Sequence, residues 1–449
     1  MKFGTDGVRG VANVDLTPSF ALDLGRAAAR VLASGPNEGV EAVVGGDTRV
    51  STAMLEAAFV AGMASEGVVV HRLGVVPTPA VAFEASRRNA VGAVISASHN
   101  PYGDNGIKLF ARGGIKLPDE VEGRIEREVM ALPPPSGEPA QLLDAEETPD
   151  YLAHLVDALE GRNLRGLRIV VDCANGAASI VAPRILAAAG ADVVAIHTTP
   201  NGRNINDRCG ATHLDSLAAT VTLEGGDLGL AVDGDADRLL AVDHLGQVVD
   251  GDHIMAICAT DLHRRGGLRE DTIVATVMSN LGFRLAMERA GIHVVETPVG
   301  DRYVLEALDE GRYTMGGEQS GHVIFRDLAT TGDGLLTGVL LADVVKRSGA
   351  PLADLAAAAM TRLPQVLLNI PVTERVPDAA DQVASEIAAV EARLAGQGRV
   401  LVRPSGTEPL LRVMVEATDA TVANETAEQL AAVVRERWGT DRETEPHLR

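Results

Sequence analysis

The sequence predicts an α/β protein of three related mixed-sheet domains followed by a smaller α+β domain. Three observations predict it. Short β-branched runs alternate with alanine-rich helical text up to about residue 360, a proline cluster over 133–139 interrupts that alternation, and from about Gln365 the order becomes strand, long helix, two strands, helix.

Taken in order, strands are expected at 43–44, 68–70 and 91–95, around helices near 51–64 and 80–87. The prolines from Pro133 to Pro139 and the acidic stretch 144–147 mark a linker. A second unit has strands at 167–171, 193–196, 228–232 and 239–242, with a helix over 177–189. A third repeats the scheme with strands at 273–277 and 294–295 around a helix over 281–290. The last unit has one helix over 379–394, strands at 400–402 and 411–415, and a final helix over 422–437. Domain boundaries are therefore expected at 1–145, 146–243, 244–362 and 363–449.

Four segments carry chemistry. Ser96-Ala97-Ser98-His99-Asn100-Pro101 follows a buried apolar run and ends in Asn-Pro, so Ser98 stands on a loop at a strand end, where parallel α/β domains place reacting groups. A hydroxyl needs activation to react, and the same residues also fit a turn with a capping serine. Asp233-Gly234-Asp235-Ala236-Asp237-Arg238 sets three carboxylates at alternate positions, which repel one another unless a hard cation joins them. An EF-hand needs glycine at its sixth position and glutamate at its twelfth; Arg238 and His244 stand there instead. Three oxygen ligands with open positions suit magnesium better than zinc or a closed calcium cage, and the competing reading is a polar hairpin tip.

Gly316-Gly317-Glu318-Gln319-Ser320-Gly321-His322 allows close backbone approach, and Glu318 and Ser320 offer hydrogen bonds suited to vicinal sugar hydroxyls; a glycine-rich turn accounts for it equally. Arg403-Pro404-Ser405-Gly406-Thr407-Glu408-Pro409 lies between two strands, with Arg412 just beyond. Its hydroxyls, arginines and free backbone N–H groups make a phosphate cradle, though not a Walker loop, and an ordinary hairpin turn has the same outline.

Composition excludes several other classes. With 40 basic against 62 acidic residues the net charge is −22, and aromatic residues are only 3%, so neither a nucleic-acid surface nor a base-stacking platform is present. An anionic substrate must then be drawn by a local basic field. Cys173, Cys209 and Cys258 are widely spaced, with no disulfide framework and no zinc spacing, which suits a reducing cytosol. Neither an apolar signal core nor a membrane-length apolar run is found, so a cytoplasmic protein with no membrane partner is expected.

In chain order the four segments resemble the phosphoserine, metal, sugar and phosphate loops of the α-D-phosphohexomutase superfamily. The opening Phe3-Gly4-Thr5-Asp6-Gly7-Val8-Arg9-Gly10, the segment Val299-Gly300-Asp301-Arg302-Tyr303, Gln319 and the 403–409 loop are similar to its bacterial amino-sugar branch. Relatives acting on glucose and mannose phosphates carry methionine in place of Gln319 and an Asn-Thr-Thr run in the phosphate loop.

The resemblance implies domains around a central cleft and a phosphoryl group on Ser98. It further implies Mg2+ held by Asp233, Asp235, Asp237 and an oxygen of phosphoserine 98. Lys108 falls where the family places a general acid/base, Arg9 and Arg238 where it neutralises the moving phosphoryl group, and His322 closes the sugar loop. Asp301 and Arg302 border the sugar, and Arg403, Ser405, Gly406, Thr407 and Arg412 hold the substrate's existing phosphate. The implied activity interconverts the 6- and 1-phosphates of a small phosphorylated hexosamine through a sugar 1,6-bisphosphate. Ser98 is first charged by a sugar 1,6-bisphosphate or by autophosphorylation, and the chain is expected to form a homodimer. Glucose or mannose phosphate as substrate, a covalent phosphatase and a non-catalytic sugar-phosphate sensor are the alternatives; retention of all three aspartates and Lys108 speaks against the sensor.

Overall fold

The computed structural model describes residues 3–4, 7–33, 40–135, 138–145, 149–374, 376–405 and 409–439. They form two compact units, one of residues 1–278 with 290–359 and one of residues 279–289 with 360–449.

Three sheets build the first unit. The first contains Val8–Val11 (β1), Glu41–Gly46 (β2), Val69–Val75 (β3), Val91–Ile95 (β4), Asp104–Ala111 (β5), Ile115–Lys116 (β6) and Leu142–Asp144 (β7), in the order β1-β5-β4-β2-β3-β7 with β6 on β5. The second contains Arg168–Asp172 (β8), Asp192–Ile196 (β9), Leu228–Val232 (β10), Leu239–Asp243 (β11) and Val248–Val249 (β12), ordered β12-β11-β10-β8-β9. The third orders Thr272–Thr276 (β13), His293–Thr297 (β14), Met315–Gly317 (β15) and Val323–Phe325 (β16) as β14-β13-β15-β16.

One scheme recurs in all three. Strands β3-β2-β4, β9-β8-β10 and β14-β13-β15 pair in parallel, and β4, β10 and β15 then turn back into antiparallel partners β5, β11 and β16. The serine, aspartate and sugar loops are the three connections at that same place, each at the C-terminal end of the last parallel strand. Strands β4 and β10 are buried along their whole length, which is why each reads as a continuous apolar run rather than an alternating one. The first sheet packs Val44 and Ile95 with Leu24, Leu55 and Phe59 from helices Pro18–Leu32 and Thr52–Ser65. Each large side chain so buried contributes roughly 1.5–3 kcal/mol.

The second unit is the smaller α+β body. Its sheet orders Gln365–Pro371 (β17), Gly398–Pro404 (β18) and Leu410–Ala417 (β19) as β17-β19-β18, all antiparallel, under helix Ala420–Trp438. Buried Glu416 of β19 accepts from Leu281 N (2.8 Å) and Asn280 Nδ2 (3.0 Å), holding the start of helix Leu281–Arg289 in this unit.

The expected class therefore stands, with local differences. Leu142–Asp144, expected as linker, adds a parallel edge strand beside β3. The helix expected from 177 begins at Val181, because Ala177 N donates to Gly234 O at 2.8 Å and ties the preceding turn to the aspartate loop. The single helix over 379–394 is two, Ala379–Gln382 and Ala384–Leu394, broken at Val383 where φ is −113° and ψ 20°. Strand β5, unread in the sequence, carries Lys108 beside Val94 of β4. No helix among the described residues is long and apolar enough to cross a membrane.

Candidate active site

Ser98 adopts a left-handed backbone, with φ at 52°. For a non-glycine residue this costs roughly 1–2 kcal/mol and persists only where the surroundings over-determine it. Here they do. Ser98 N donates to Ser96 Oγ (3.0 Å), and its carbonyl accepts from Arg49 Nη2 (2.8 Å) and Asn206 Nδ2 (2.9 Å). Arg49 is wholly buried; its guanidinium also binds the carbonyls of Asn100 (2.8 Å), Pro101 and Asp104 (3.1 Å) and pairs with Asp47 Oδ2 at 2.8 Å. Asp47 in turn accepts from Ser96 Oγ (2.6 Å) and Thr52 Oγ1 (2.9 Å). One buried arginine thus gathers the carbonyls of the loop, and one buried aspartate fixes the arginine.

Held in this way, Ser98 Oγ donates to Asp233 Oδ2 at 2.6 Å. A Cβ on Gly234 would come within 2.6 Å of Ser98 O, so only glycine lets the two loops meet this closely. Ala236, also left-handed at φ 58°, turns the aspartate loop so that oxygens of Asp233, Asp235 and Asp237 lie within 4.8 Å of one another, all three residues being buried. Asp235 Oδ2 accepts from Lys108 Nζ (2.8 Å) and Thr78 Oγ1 (2.7 Å), and Asp237 Oδ2 from Lys108 Nζ (3.3 Å).

The three carboxylates of this cluster lie in unequal electrostatic surroundings. Burial, reinforced by Asp237 and Asp235, pushes the Asp233 carboxyl well above the usual carboxylate range. Asp237 is held well below that range: burial opposes this, and Lys108, His322 and Arg238 outweigh it. Asp235 Oδ1 and Asp237 Oδ1 are buried and accept no hydrogen bond among the described residues; the Arg238 Nε nearest to Asp237 Oδ1 is 3.7 Å away. Orphaned carboxylate oxygens converging from alternate residues are the donor set of a hard divalent cation, so these residues fit a metal ion.

His99 Nδ1 lies 3.3 Å from Ser98 Oγ, and its imidazole is pushed down to about 4 by burial and then by the Arg238 and Arg9 charges. Arg9 sits on β1 opposite Gly106 of β5. Arg238 N donates to Asp233 Oδ1 at 3.2 Å.

The sugar loop joins this cluster through His322, whose Nδ1 is 3.7 Å from Asp237 Oδ2 and whose Nε2 accepts from Gly332 N at 3.2 Å. Leu239 N donates to Gly321 O at 3.0 Å, tying the loop to β11. Glu318 Oε1 accepts from Gly300 N (3.1 Å) and Oε2 from Ser320 Oγ (3.2 Å), which sets the N-terminus of helix Asp301–Gly311 beside the loop. Asp301 pairs with Lys116, and Arg302 pairs with Asp119 and with Glu122 (2.9 Å), so both meet charges of the first domain.

In the second unit Arg403 of β18 stands directly opposite Arg412 of β19. Burial and then Arg412 lower the Arg403 guanidinium. Like charges facing one another across a strand pair are destabilising unless an anion lies between them. Ser405 N donates to Leu410 O at 2.8 Å. Gly406 and Thr407 lie outside the described residues.

Sequence reasoning missed Asp47, Arg49, Thr78, His99, Lys116 and Asn206. A signal existed for two of them: Gly46-Asp47-Thr48-Arg49 is a polar run after a buried strand parallel to β4, so it emerges beside the serine loop.

Three copies of one α/β scheme, with a hydroxyl set against an acidic triad, have the make-up of a metal-dependent phosphoryl-transfer enzyme. Comparison with known proteins agrees. Family models described as phosphoglucomutase/phosphomannomutase alpha/beta/alpha domains I, II and III match residues 1–133, 149–246 and 250–363, and the C-terminal domain of that family matches 367–433. The chain belongs to the phosphoglucomutase/phosphomannomutase family. Curated relatives named phosphoglucosamine mutase include those of Frankia alni, 56% identical over 96% of this chain and 98% of the relative, and Corynebacterium efficiens, 55% identical over 97% and 99%. Among solved structures, a phosphoglucomutase/phosphomannomutase family protein of Burkholderia thailandensis superposes with a TM-score of 0.81 at 26% identity, covering 96% of this chain and 97% of that one. An N-acetylphosphoglucosamine mutase of Aspergillus fumigatus, in complex with GlcNAc-6P and magnesium, shares the fold at a TM-score of 0.70 and 19% identity, covering 98% and 96%.

Proposed function

We propose that the protein interconverts glucosamine 6-phosphate and glucosamine 1-phosphate as a phosphoglucosamine mutase, feeding UDP-N-acetylglucosamine and cell-wall precursor synthesis. The observation that carries this reading is the 2.6 Å contact of Ser98 Oγ with Asp233, at the edge of a buried carboxylate triad whose oxygens fit a divalent cation. The full-length relatives of that name supply the substrate.

Ser98 is the phosphorylated residue, and Asp233, Asp235 and Asp237 hold Mg2+. When bound, the ion neutralises charge on the phosphoryl group, which would otherwise face three carboxylates. Arg9 and Arg238 add positive charge at the same place, and Arg49 with Asp47 keeps the serine aimed. Glu318 and Ser320 orient the sugar hydroxyls, His322 fixes their loop against Asp237, and Asp301 and Arg302 border the sugar. Arg403, Ser405, Gly406, Thr407 and Arg412 anchor the phosphate the substrate already carries.

The phosphoryl group leaves Ser98 Oγ for the sugar hydroxyl, and the hydroxyl's proton, moved with the help of Lys108, ends on the serine. The resulting sugar 1,6-bisphosphate turns over, presents its other phosphate and rephosphorylates Ser98. Water must be excluded meanwhile, or the same residues hydrolyse the phosphoserine. Either a sugar 1,6-bisphosphate or autophosphorylation first charges the serine. A homodimer in the cytoplasm completes the reading.

The test compares glucosamine, glucose and mannose 6-phosphates with magnesium present and after chelation. Isomerisation fastest on the amino sugar, lost on chelation and restored by Mg2+, is expected. Preference for glucose or mannose phosphate transfers the protein to another branch of the family, and release of inorganic phosphate without isomerisation makes it a phosphatase.

A further inference from the structure

Behind the aspartate loop, the second sheet brings together three side chains with the donor atoms of a softer cation. Asp172 ends β8, His197 follows β9 and Cys209 closes the loop that His197 opens; their ligand atoms lie within 4.8 Å of one another. His197 Nδ1 approaches Asp172 Oδ2 to 3.0 Å, a close ionic contact that is out of line for a good hydrogen bond, while the Asp172 carboxylate also accepts from Gly210 N (3.0 Å) and Ala174 N (2.9 Å). The Cys209 sulfur, which accepts from Asn175 Nδ2 at 3.9 Å, lies within 4.8 Å of both, so a nitrogen, a carboxylate oxygen and a sulfur converge on one small space. Zn2+ at its usual bond lengths holds such ligand atoms roughly 3.3–3.8 Å apart, so shifts of about an ångström or less would close the set.

We propose that Asp172, His197 and Cys209 form a second metal site, for a thiophilic dication of the Zn2+ class. Nitrogen and thiolate donors exclude Mg2+ here, as oxygen donors favour it at the triad. Binding breaks the Cys209 S–H bond, forms a sulfur–metal bond and releases the proton to water; the imidazole binds in its neutral form. Entry runs past His197, the partly exposed member.

Its consequence is mechanical. The segment clipped at both ends by His197 and Cys209 carries Asn206, whose Nδ2 donates to the carbonyls of Ser98 (2.9 Å) and Asn100 (3.1 Å), and Gly202, whose carbonyl accepts from Val50 N at 2.8 Å. A metal closing this loop stiffens one wall of the serine loop without touching the reacting atoms.

The test is an optical titration of the full-length protein with Co2+ in excess Mg2+, followed by displacement with Zn2+. A near-ultraviolet thiolate-to-cobalt band saturating at one equivalent is expected. Cys209→Ser should abolish the band, His197→Asn should weaken affinity at least about 10-fold, and Cys258→Ser should change neither. Zn2+ should also slow tryptic cleavage at exposed Arg203 and Arg208 in the wild type and not in His197→Asn, a variant at a partly exposed position that keeps the test open if Cys209→Ser folds poorly. No thiolate band in the wild type, a band surviving in Cys209→Ser, or unchanged affinity in His197→Asn overturns the site.

Discussion

Ser98 Oγ and Asp233 Oδ2 stand 2.6 Å apart although 135 positions separate them in the chain. The hydrogen bond joins equivalent hairpin connections of the first two sheets, and it exists because Gly234 offers no side chain to the Ser98 carbonyl. The serine's left-handed backbone is the strained part of this arrangement, and its cost is met by neighbours that carry no reacting group.

Arg49 is the chief of these. Replacing it with lysine leaves one ammonium to serve carbonyls that a planar guanidinium binds together, and Asp47 keeps a weaker partner. Arg49→Lys should lower kcat at least about 10-fold with KM nearly unchanged, because only the aim of Ser98 is lost. Arg49→Ala, leaving Asp47 buried and unpaired, should destabilise by about 3–5 kcal/mol. Steady-state kinetics and urea unfolding check both; an Arg49→Lys enzyme with normal kcat removes Arg49 from the positioning of the serine.

Arg403 should behave in the opposite way. Facing Arg412 across the strand pair, it is a group awaiting an anion, and Arg403→Ala should raise KM for the sugar phosphate tenfold or more, about 1.5–3 kcal/mol for a hydrogen bond to a charged group. The fold should be unharmed or slightly steadier, since a like-charge pair is removed. Phosphorylation of Ser98 by sugar bisphosphate should suffer less than binding of the monophosphate; an unchanged KM contradicts the cradle.

How far the sequence revealed this site follows from where each residue lies. The loops that carry Ser98, the three aspartates and Glu318 to His322 were legible because each is one short polar run after a strand, though residue type alone left turns and hairpin tips as rival readings until the structure brought the loops together. Arg49, Thr78 and Asn206 come from other loops and act through carbonyls or a neighbouring carboxylate, which leaves no local pattern. Fold reading failed for the same reason: Ala177 has helical surroundings in the sequence, and a hydrogen bond to the distant Gly234 decides otherwise. The pairing of Asp172, His197 and Cys209 was invisible as well, since their spacing matches no zinc motif and only the sheet order unites them.

Asp333 provides a pH test away from the chemistry. It caps helix Gly334–Ser348 by accepting from Leu336 N (2.9 Å) and also accepts from Tyr151 Oη (2.9 Å). Burial pushes its carboxyl from 3.8 up to about 6, against those hydrogen bonds. Because the folded state holds this proton more tightly than the unfolded chain, its contribution is fully present below about pH 4 and is lost as pH rises through about 6. The loss is about 3 kcal/mol. Asp333→Asn cannot titrate, so its stability deficit relative to wild type should shrink by that order between about pH 4.5 and about pH 7 in urea unfolding. A deficit that stays constant over this range contradicts the burial argument.

The most direct test of the central claim follows one phosphoryl group. The protein is charged with a sugar 1,6-bisphosphate carrying radioactive phosphate, the labelled peptide is mapped, and unlabelled glucosamine 6-phosphate is added with Mg2+. The label should map to Ser98, leave it in a single turnover and appear in sugar bisphosphate rather than in inorganic phosphate. Ser98→Ala should take up no label and lose turnover by three or more orders of magnitude, about 4 kcal/mol or more of transition-state stabilisation. Label on another residue, or turnover retained by Ser98→Ala, contradicts the account.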